Sequence, residues 1–453
     1  MTGSTKDTAM PEASEASDQI DDGLDVEARL SAASSVGHAI RLANEGIELR
    51  DSGAYDQAAT IFRNVIELYP HFVYGWQELG VLMALRGQAT EALQLFTRAA
   101  TTDPSDFQCC KHLVLHQIAL GQLDDARHSL FLHQPSTPAN QTLVEVYRDF
   151  VDFIEEYPKQ RALDMISRYE TAGCYLSPSQ IQRPIFAAIE SRAPFSLIRL
   201  GDGEGAWLSI SPEDTQKFER IYAFNRRKTL RVWFGTDRFQ TLPSFIAASR
   251  RLAQAVQSAD LVGLPYGLRI AREYQVGSLN GVPSCVNILR WLEQRDPSGT
   301  GRAYCSQDVH LILHREGFFV RLFSLPIEIG IISCHPDIGY RIAKAFGTKV
   351  CQILIIPEEA GFSEVDQTLS TIKGTSGMTE PHFPITYNRV LTKIRENPFE
   401  VRVWLVAAGF LGKIYCAAAR DAGAVALDIG SIIDGWAGKV TRPYLENIQD
   451  FSL

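Results

Sequence analysis

Two carboxylates stand two residues apart in the run Arg199-Leu200-Gly201-Asp202-Gly203-Glu204-Gly205. The run directly follows an apolar stretch, Phe195–Ile198. With only Gly203 between them, Asp202 and Glu204 can both approach one ion, or one can take a metal and the other a sugar hydroxyl. The glycines, Gly201 and Gly203 first among them, permit a tight turn and let a large ligand come close to the backbone. Hard carboxylate oxygens suit Mg²⁺ or Mn²⁺, and such an ion neutralises a diphosphate. Arg199 adds a charge-assisted contact to an anion. An acidic turn with no ligand is the plain alternative. A dinucleotide fingerprint is excluded, since GxGxxG is absent and the turn is acidic.

A second group lies near the end of the chain, in Gly409-Phe410-Leu411-Gly412-Lys413. Gly409 and Gly412 let a helix start close to a ligand, and the free N–H groups of that helix start favour phosphate. Lys413 supplies a point charge. Asp428, between an apolar run and Gly430, either binds a ribose or sugar hydroxyl or caps a turn. Three more places put polar groups after apolar runs: His335 and Asp337 in CHPDIG, Glu358 and Glu359 in IIPEEAG, and His382 in EPHFP. His335 and Glu358 are candidate proton acceptors, and Asp337 is equally suited to cap the next helix. The loop 361–384, rich in Gly, Ser and Thr, has the composition of a lid. No HExxH or compact His cluster points to a metallohydrolase.

These groups need strands to carry them. Apolar runs at 195–201, 229–235, 259–265, 329–336, 349–357, 401–409 and 423–430 read as strands. Helical patterns lie between them, including Pro243–Ser258, Asp337–Phe346 and Leu411–Asp421. Near-continuous apolar strands alternating with helices predict a mostly parallel Rossmann-like sheet covered on both faces, with ligands outside the C-terminal strand ends. The α/β texture spans 191–445.

Upstream the pattern is different. Gly46 and Gly80 are 34 residues apart, and Gly53, Gly87 and Gly121 keep that step. Ala58, Ala92 and Ala126 follow it, as do Phe62, Phe96 and Leu130, and Pro70 and Pro104. Small residues let two antiparallel helices approach, an aromatic fills the gap, and proline ends the second helix. This resembles the tetratricopeptide repeat, with three copies over 37–136. The third is degraded, carrying Cys110 and Val114 where the aromatic and glycine would stand. Such an all-α array is either a spacer or self-association unit, or a concave face for a peptide or protein partner. Residues 137–190 read as a helical connector. Residues 1–30 hold eight carboxylates against Lys6 and Arg29, too few apolar groups to offset ordering, and read as a disordered acidic tail.

The whole chain has 453 residues with 44 Lys+Arg against 53 Asp+Glu, a formal charge of -9. That balance argues against a nonspecific nucleic-acid binder. No apolar run of about 18 residues exists, so no transmembrane segment is expected. The acidic start lacks the apolar region of a secretory signal. The 8 Cys are scattered without a CxxC pair, as in reduced cytoplasmic proteins.

The stretch FSLIRLGDGEGAWL at 195–208 resembles the opening motif of a bacterial glycosyltransferase family with the D-type fold, formerly a domain of unknown function. That family carries Asp-x-Glu after its first strand, and the match implies that Asp202 and Glu204 serve the metal and the nucleotide-sugar diphosphate. Its closing plan of strand, glycine-rich loop, helix and Asp-Ile-Gly is matched at 401–436, with Asp428-Ile429-Gly430. The resemblance covers about 190–440. It further implies that Arg302 lies near the active site, where it would clamp the diphosphate. Two departures stand out. The family's Gly-Pro-Thr-Ala loop is here Gly409-Phe410-Leu411-Gly412, and Ser431 stands where a His is common. The implied function is metal-dependent transfer of a sugar from a nucleotide-sugar donor to a protein or glycan acceptor, with Mn²⁺ or Mg²⁺ as cofactor and the repeats recruiting acceptor or partner. The competing readings are a metal-dependent phosphoester hydrolase or other nucleotide-binding enzyme, and a noncatalytic repeat scaffold.

Overall fold

The structure is a computed structural model that describes residues 22–201, 203–208, 216–348, 350–360, 374–446 and 448. The chain divides into two units, Met1–Leu113 and Val114–Leu453.

The first unit is helical: α1 (Asp22–Asp51), α2 (Tyr55–Leu68), α3 (Val73–Leu85), α4 (Ala89–Thr102) and the start of α5 (Phe107–Ala119). The 34-residue step has a direct packing cause. A Cβ on Gly46 would lie 2.5 Å from the Phe62 ring, and one on Gly80 would lie 2.7 Å from the Phe96 ring. The first two repeats thus need a glycine where the aromatic crosses the partner helix. Phe62, Phe96, Ala58 and Ala92 sit in one buried cluster. Of the expected acidic tail, residues 1–21 lie outside the described residues. Residues 22–30 lie in the first turns of α1. No proline interrupts 22–51, so a helix already formed further on propagates back at little cost per residue.

The second unit opens with α6 (Leu123–Leu132), α7 (Pro138–Glu156), α8 (Lys159–Thr171) and α9 (Pro178–Glu190). Thr137 caps α7 by accepting the Asn140 N–H at 3.1 Å, with Pro138 at the first helical position. The helices expected as a connector are part of this unit, and Ile181 and Ile185 of α9 enter its main core.

Seven parallel strands follow: β1 (Phe195–Arg199), β2 (Leu261–Leu264), β3 (Ala303–Ser306), β4 (Ile329–Ser333), β5 (Val350–Ile355), β6 (Val403–Val406) and β7 (Val425–Asp428). Their order is β3-β2-β1-β7-β6-β4-β5. The central strands are buried along nearly their whole length, while edge strands β3 and β5 are partly exposed. This is the Rossmann-like class expected, since a parallel sheet must be covered on both faces. The covering helices include α10 (Glu219–Phe234), α11 (Pro243–Ser258), α12 (Gly267–Gln275), α13 (Gly281–Glu293) and α14 (Val309–Arg315). Then come α15 (Phe318–Phe323), α16 (Ile338–Phe346), α17 (Tyr387–Glu396), α18 (Gly409–Asp421) and α19 (Ile432–Trp436).

One expected strand is a helix. Residues 229–235 form the end of α10, whose buried residues Ile221, Tyr222, Asn225, Thr229 and Leu230 keep three- and four-residue spacing. β3 takes the missing place in the sheet, paired with β2 from Leu261↔Ala303 to Leu264↔Ser306. The first strand, β1, and the last, β7, lie side by side with Leu197 opposite Leu427. Space outside the C-terminal ends of the strands is the ordinary ligand position of such a sheet.

Candidate active site

A cavity of about 360 Å³ opens at the C-terminal strand ends. Its wall is supplied by the turn after β1, the segment after β5, the start of α18, the end of β7 and α19. Residues far apart in sequence meet there because β1, β7 and β6 are consecutive in the sheet.

Glu204 is buried, with Oε2 accepting the Gly201 N–H at 2.9 Å and Oε1 lying 2.8 Å from Lys413 Nζ. The turn can fold this tightly because Gly205 has no side chain: a Cβ there would lie 2.4 Å from the Ser284 carbonyl oxygen of α13. Lys413, one turn into α18, also meets Asp428 Oδ2 at 3.2 Å and donates to the Gly409 carbonyl at 3.0 Å. Burial alone would lower the Lys413 pKa. Asp428 and Glu204 outweigh that and raise it above the usual lysine value. Arg199 lines the cavity too. Its Nε donates to the Gln307 carbonyl at 2.7 Å and its backbone N–H to Asp428 Oδ2 at 3.3 Å.

The two consecutive glutamates after β5 differ sharply. Glu358 is held by the Gly374 N–H and the Ser376 hydroxyl. Burial tends to raise its pKa, but these hydrogen bonds win and hold it below the usual carboxylate range. Glu359 has one ion pair, Arg442 at 3.2 Å. Burial raises its carboxyl, Arg442 opposes this, and the negative charge of Asp434 adds to the rise. Both glutamates line the cavity, and their partners set them apart.

His335 is fully buried and does not line the cavity. Its Nε2 lies 2.8 Å from Asp434 Oδ1, and the other oxygen of Asp434 accepts the Thr441 hydroxyl at 2.6 Å. Asp434 is the group that faces the cavity, so His335 can act there only by orienting it. Asp337 forms an ion pair with Arg341 at 2.7 Å and gives α16 no side-chain cap. His382 lines the cavity. It hydrogen-bonds the Tyr415 hydroxyl at 3.1 Å, and burial lowers its pKa to about 3.

The remaining expected residues divide. Gly201, Gly203, Gly409 and Asp428 line the cavity. Gly412 does not: a Cβ there would meet Val406 at 3.3 Å, so it serves the fit of α18 on β6. Arg302 is not brought to the site. It precedes β3, and its guanidinium donates to the Val256 carbonyl near the end of α11, the helix that leads into β2. That is the N-terminal edge of the sheet, opposite the cavity. Asp202 lies outside the described residues, as do 361–373 of the expected lid.

Sequence reasoning passed over Asp434, Arg442, Trp233 and Lys228, all in the cavity wall. Trp233 stacks on Phe410 with ring centroids 5.2 Å apart and lies against Gly203, where a Cβ would come within 2.4 Å of the indole. Asp434 was within reach of sequence, six residues beyond Asp428 in the same segment. Trp233 was hidden by the misread strand.

The metal expected on the acidic turn would share Glu204, whose oxygens meet a backbone N–H and an ammonium. With that ammonium 2.8 Å from Oε1, Glu204 as placed does not suit a divalent ion, because the two cations repel. Among the described residues, Cys334, His335 and Asp434 form a close His/Cys/Asp group, and there the imidazole and carboxylate already satisfy each other.

Comparison with known proteins agrees with the architecture. Residues 176–280 match a family model described as a GT-D fold-like domain. That stretch holds β1, the acidic turn, α10, α11 and β2. The second unit thus carries a GT-D-like segment within a Rossmann-like sheet, with an all-helical array before it. No curated protein matches the chain. Among solved structures, a mutant O-GlcNAc transferase of Thermobaculum terrenum aligns at 12% identity, covering 88% of this chain and 77% of that one, with a TM-score of 0.25. No correspondence of residues is drawn from so low a score.

Proposed function

We propose that the protein is a glycosyltransferase that moves a sugar from a nucleotide-sugar donor to a hydroxyl of a protein or glycan acceptor. The observation that carries this reading is the cavity at the C-terminal ends of β1, β7 and β6 in a sheet with a GT-D-like segment. The N-terminal N–H groups of α18 and the Arg199 guanidinium are the groups offered to a diphosphate. Trp233, stacked on Phe410, offers a flat apolar wall for a sugar or base. Glu359 is proposed as the general base that takes the acceptor proton. Its raised pKa brings it closer to neutral pH, where a base both stays ionised and binds a proton usefully. Asp434, held by His335 and Thr441, is the neighbouring fixed charge.

No divalent metal is assigned to the acidic turn, where Lys413 already lies against Glu204 and Asp428. The site of action is proposed to be the cytoplasm, in keeping with eight free cysteines. No helix among the described residues is long and apolar enough to cross a membrane. The test is a screen of nucleotide-sugar donors for hydrolysis and transfer, with calorimetry of UDP and GDP binding. Binding of one nucleoside diphosphate and turnover of its sugar ester are expected. Failure to bind either nucleotide and to turn over any donor overturns the reading.

A further inference from the structure

We propose that Lys413 is the resident cation of the acidic turn, standing where a divalent metal would otherwise bridge Glu204 and Asp428. An ammonium has three N–H donors. Here all three meet acceptors: Glu204 Oε1 at 2.8 Å, Asp428 Oδ2 at 3.2 Å and the Gly409 carbonyl at 3.0 Å. The acceptors come from the turns after β1 and β6 and from the end of β7, so one buried charge pins three neighbouring strand ends. Lys413 and both carboxylates are buried.

A hard divalent ion needs oxygens at about 2.0–2.6 Å with several ligands. The space between Glu204 and Asp428 is held by Nζ, and a second cation beside a buried ammonium is repelled. The other Glu204 oxygen is oriented by the Gly201 N–H at 2.9 Å. Because its donors are used internally, Lys413 is a positioning residue. It keeps the acidic turn neutral enough for a phosphate-bearing ligand to approach, and leaves the ligand's own contacts to other groups.

The inference refines the site of the proposed transferase, yet its test reads metal binding, so its failure and the failure of that reading are told apart. The full chain is titrated with Mn²⁺, followed by electron paramagnetic resonance and calorimetry. Glu204→Gln alone is expected to leave Mn²⁺ affinity essentially as it is in the unaltered chain. Lys413→Ala removes the ammonium and frees two carboxylates around one point, so Mn²⁺ affinity is expected to rise by at least about tenfold. Glu204→Gln added to Lys413→Ala is expected to cancel that gain. A stoichiometric Mn²⁺ site in the unaltered chain that Glu204→Gln weakens by about tenfold or more overturns the proposal. That arm stands even where Lys413→Ala fails to fold. So does a third, which needs no Lys413 variant: UDP or GDP affinity is expected to be the same with Mn²⁺ and with a chelator. Strong Mn²⁺ dependence that Glu204→Gln abolishes counts the other way.

Discussion

Glu358 and Glu359 are neighbours in sequence and opposites in chemistry, and the cause is their partners. Hydrogen bonds from Gly374 and Ser376 stabilise the ionised form of Glu358, whereas Glu359 is half-buried with the Arg442 guanidinium beside it. Glu359→Gln is therefore expected to lower kcat by about 10²–10⁴. Steady-state kinetics check this, and a kcat within twofold of the parent moves the base elsewhere. The pH profile carries a second expectation. A base acts only when ionised, and the Glu359 carboxyl is raised, so the acidic limb of kcat/KM falls at a higher pH than an exposed glutamate gives. Arg442 opposes that rise, so Arg442→Met is expected to move the limb higher still. A limb that moves down instead removes Glu359 from the role. Sequence marked both glutamates because each follows an apolar run. It could not rank them, since Arg442 is 83 residues away from Glu359 and Ser376 is 18 away from Glu358. The same limit hid the state of Lys413, whose three partners belong to three strand ends.

Among the elements, the acidic turn depends on how closely it packs against α13. The Asn287 side-chain amide donates to the carbonyls of Gly205 at 2.6 Å and Leu208 at 2.9 Å, so the helix grips the turn from behind. A methyl group on Gly205 would lie 2.4 Å from the Ser284 oxygen and 2.5 Å from its Cα, both backbone atoms that cannot swing aside. Gly205→Ala is expected to destabilise the protein by about 1–3 kcal/mol through overpacking, and to weaken nucleotide binding by displacing Glu204. Thermal unfolding and calorimetry check the two effects, and an unchanged melting temperature rules out the close contact. Elements were legible where local pattern and tertiary place agreed. β1, β4, β6 and β7 are buried apolar runs, and Pro243 announces α11 as its first residue. The end of α10 misled because Val232, Trp233 and Phe234 are consecutive, giving no visible helical spacing over so short a window. β3 was missed because Ala303–Ser306 is only four residues and holds no Val, Ile, Leu or Phe, and its pairing with β2 makes it a strand.

Across the whole molecule, each unit has an apolar core of its own. The first is built around Phe62, Leu82 and Phe96, and the second around the sheet with Leu197, Ile331, Leu405 and Trp436. Two cores permit two jobs, and a helical repeat array offers a surface that a single α/β domain lacks. If the array holds the acceptor, it raises the acceptor's effective concentration at the cavity without touching the donor. The division between units falls inside α5, so a truncated protein should begin at Phe107 and keep that helix whole. Such a protein, lacking residues 1–106, is expected to fold, to bind its nucleoside diphosphate within about twofold of the parent, and to hydrolyse the donor at a similar rate. Transfer to the natural acceptor is expected to fall by about tenfold or more, because the second contact is gone. Adding the array back as a separate chain should not restore it, since the gain comes from covalent linkage. Self-association is the competing role for the repeats, and light scattering separates it. A dimer that becomes a monomer on truncation, with transfer unchanged, shows that the array assembles the enzyme and does not recruit its acceptor.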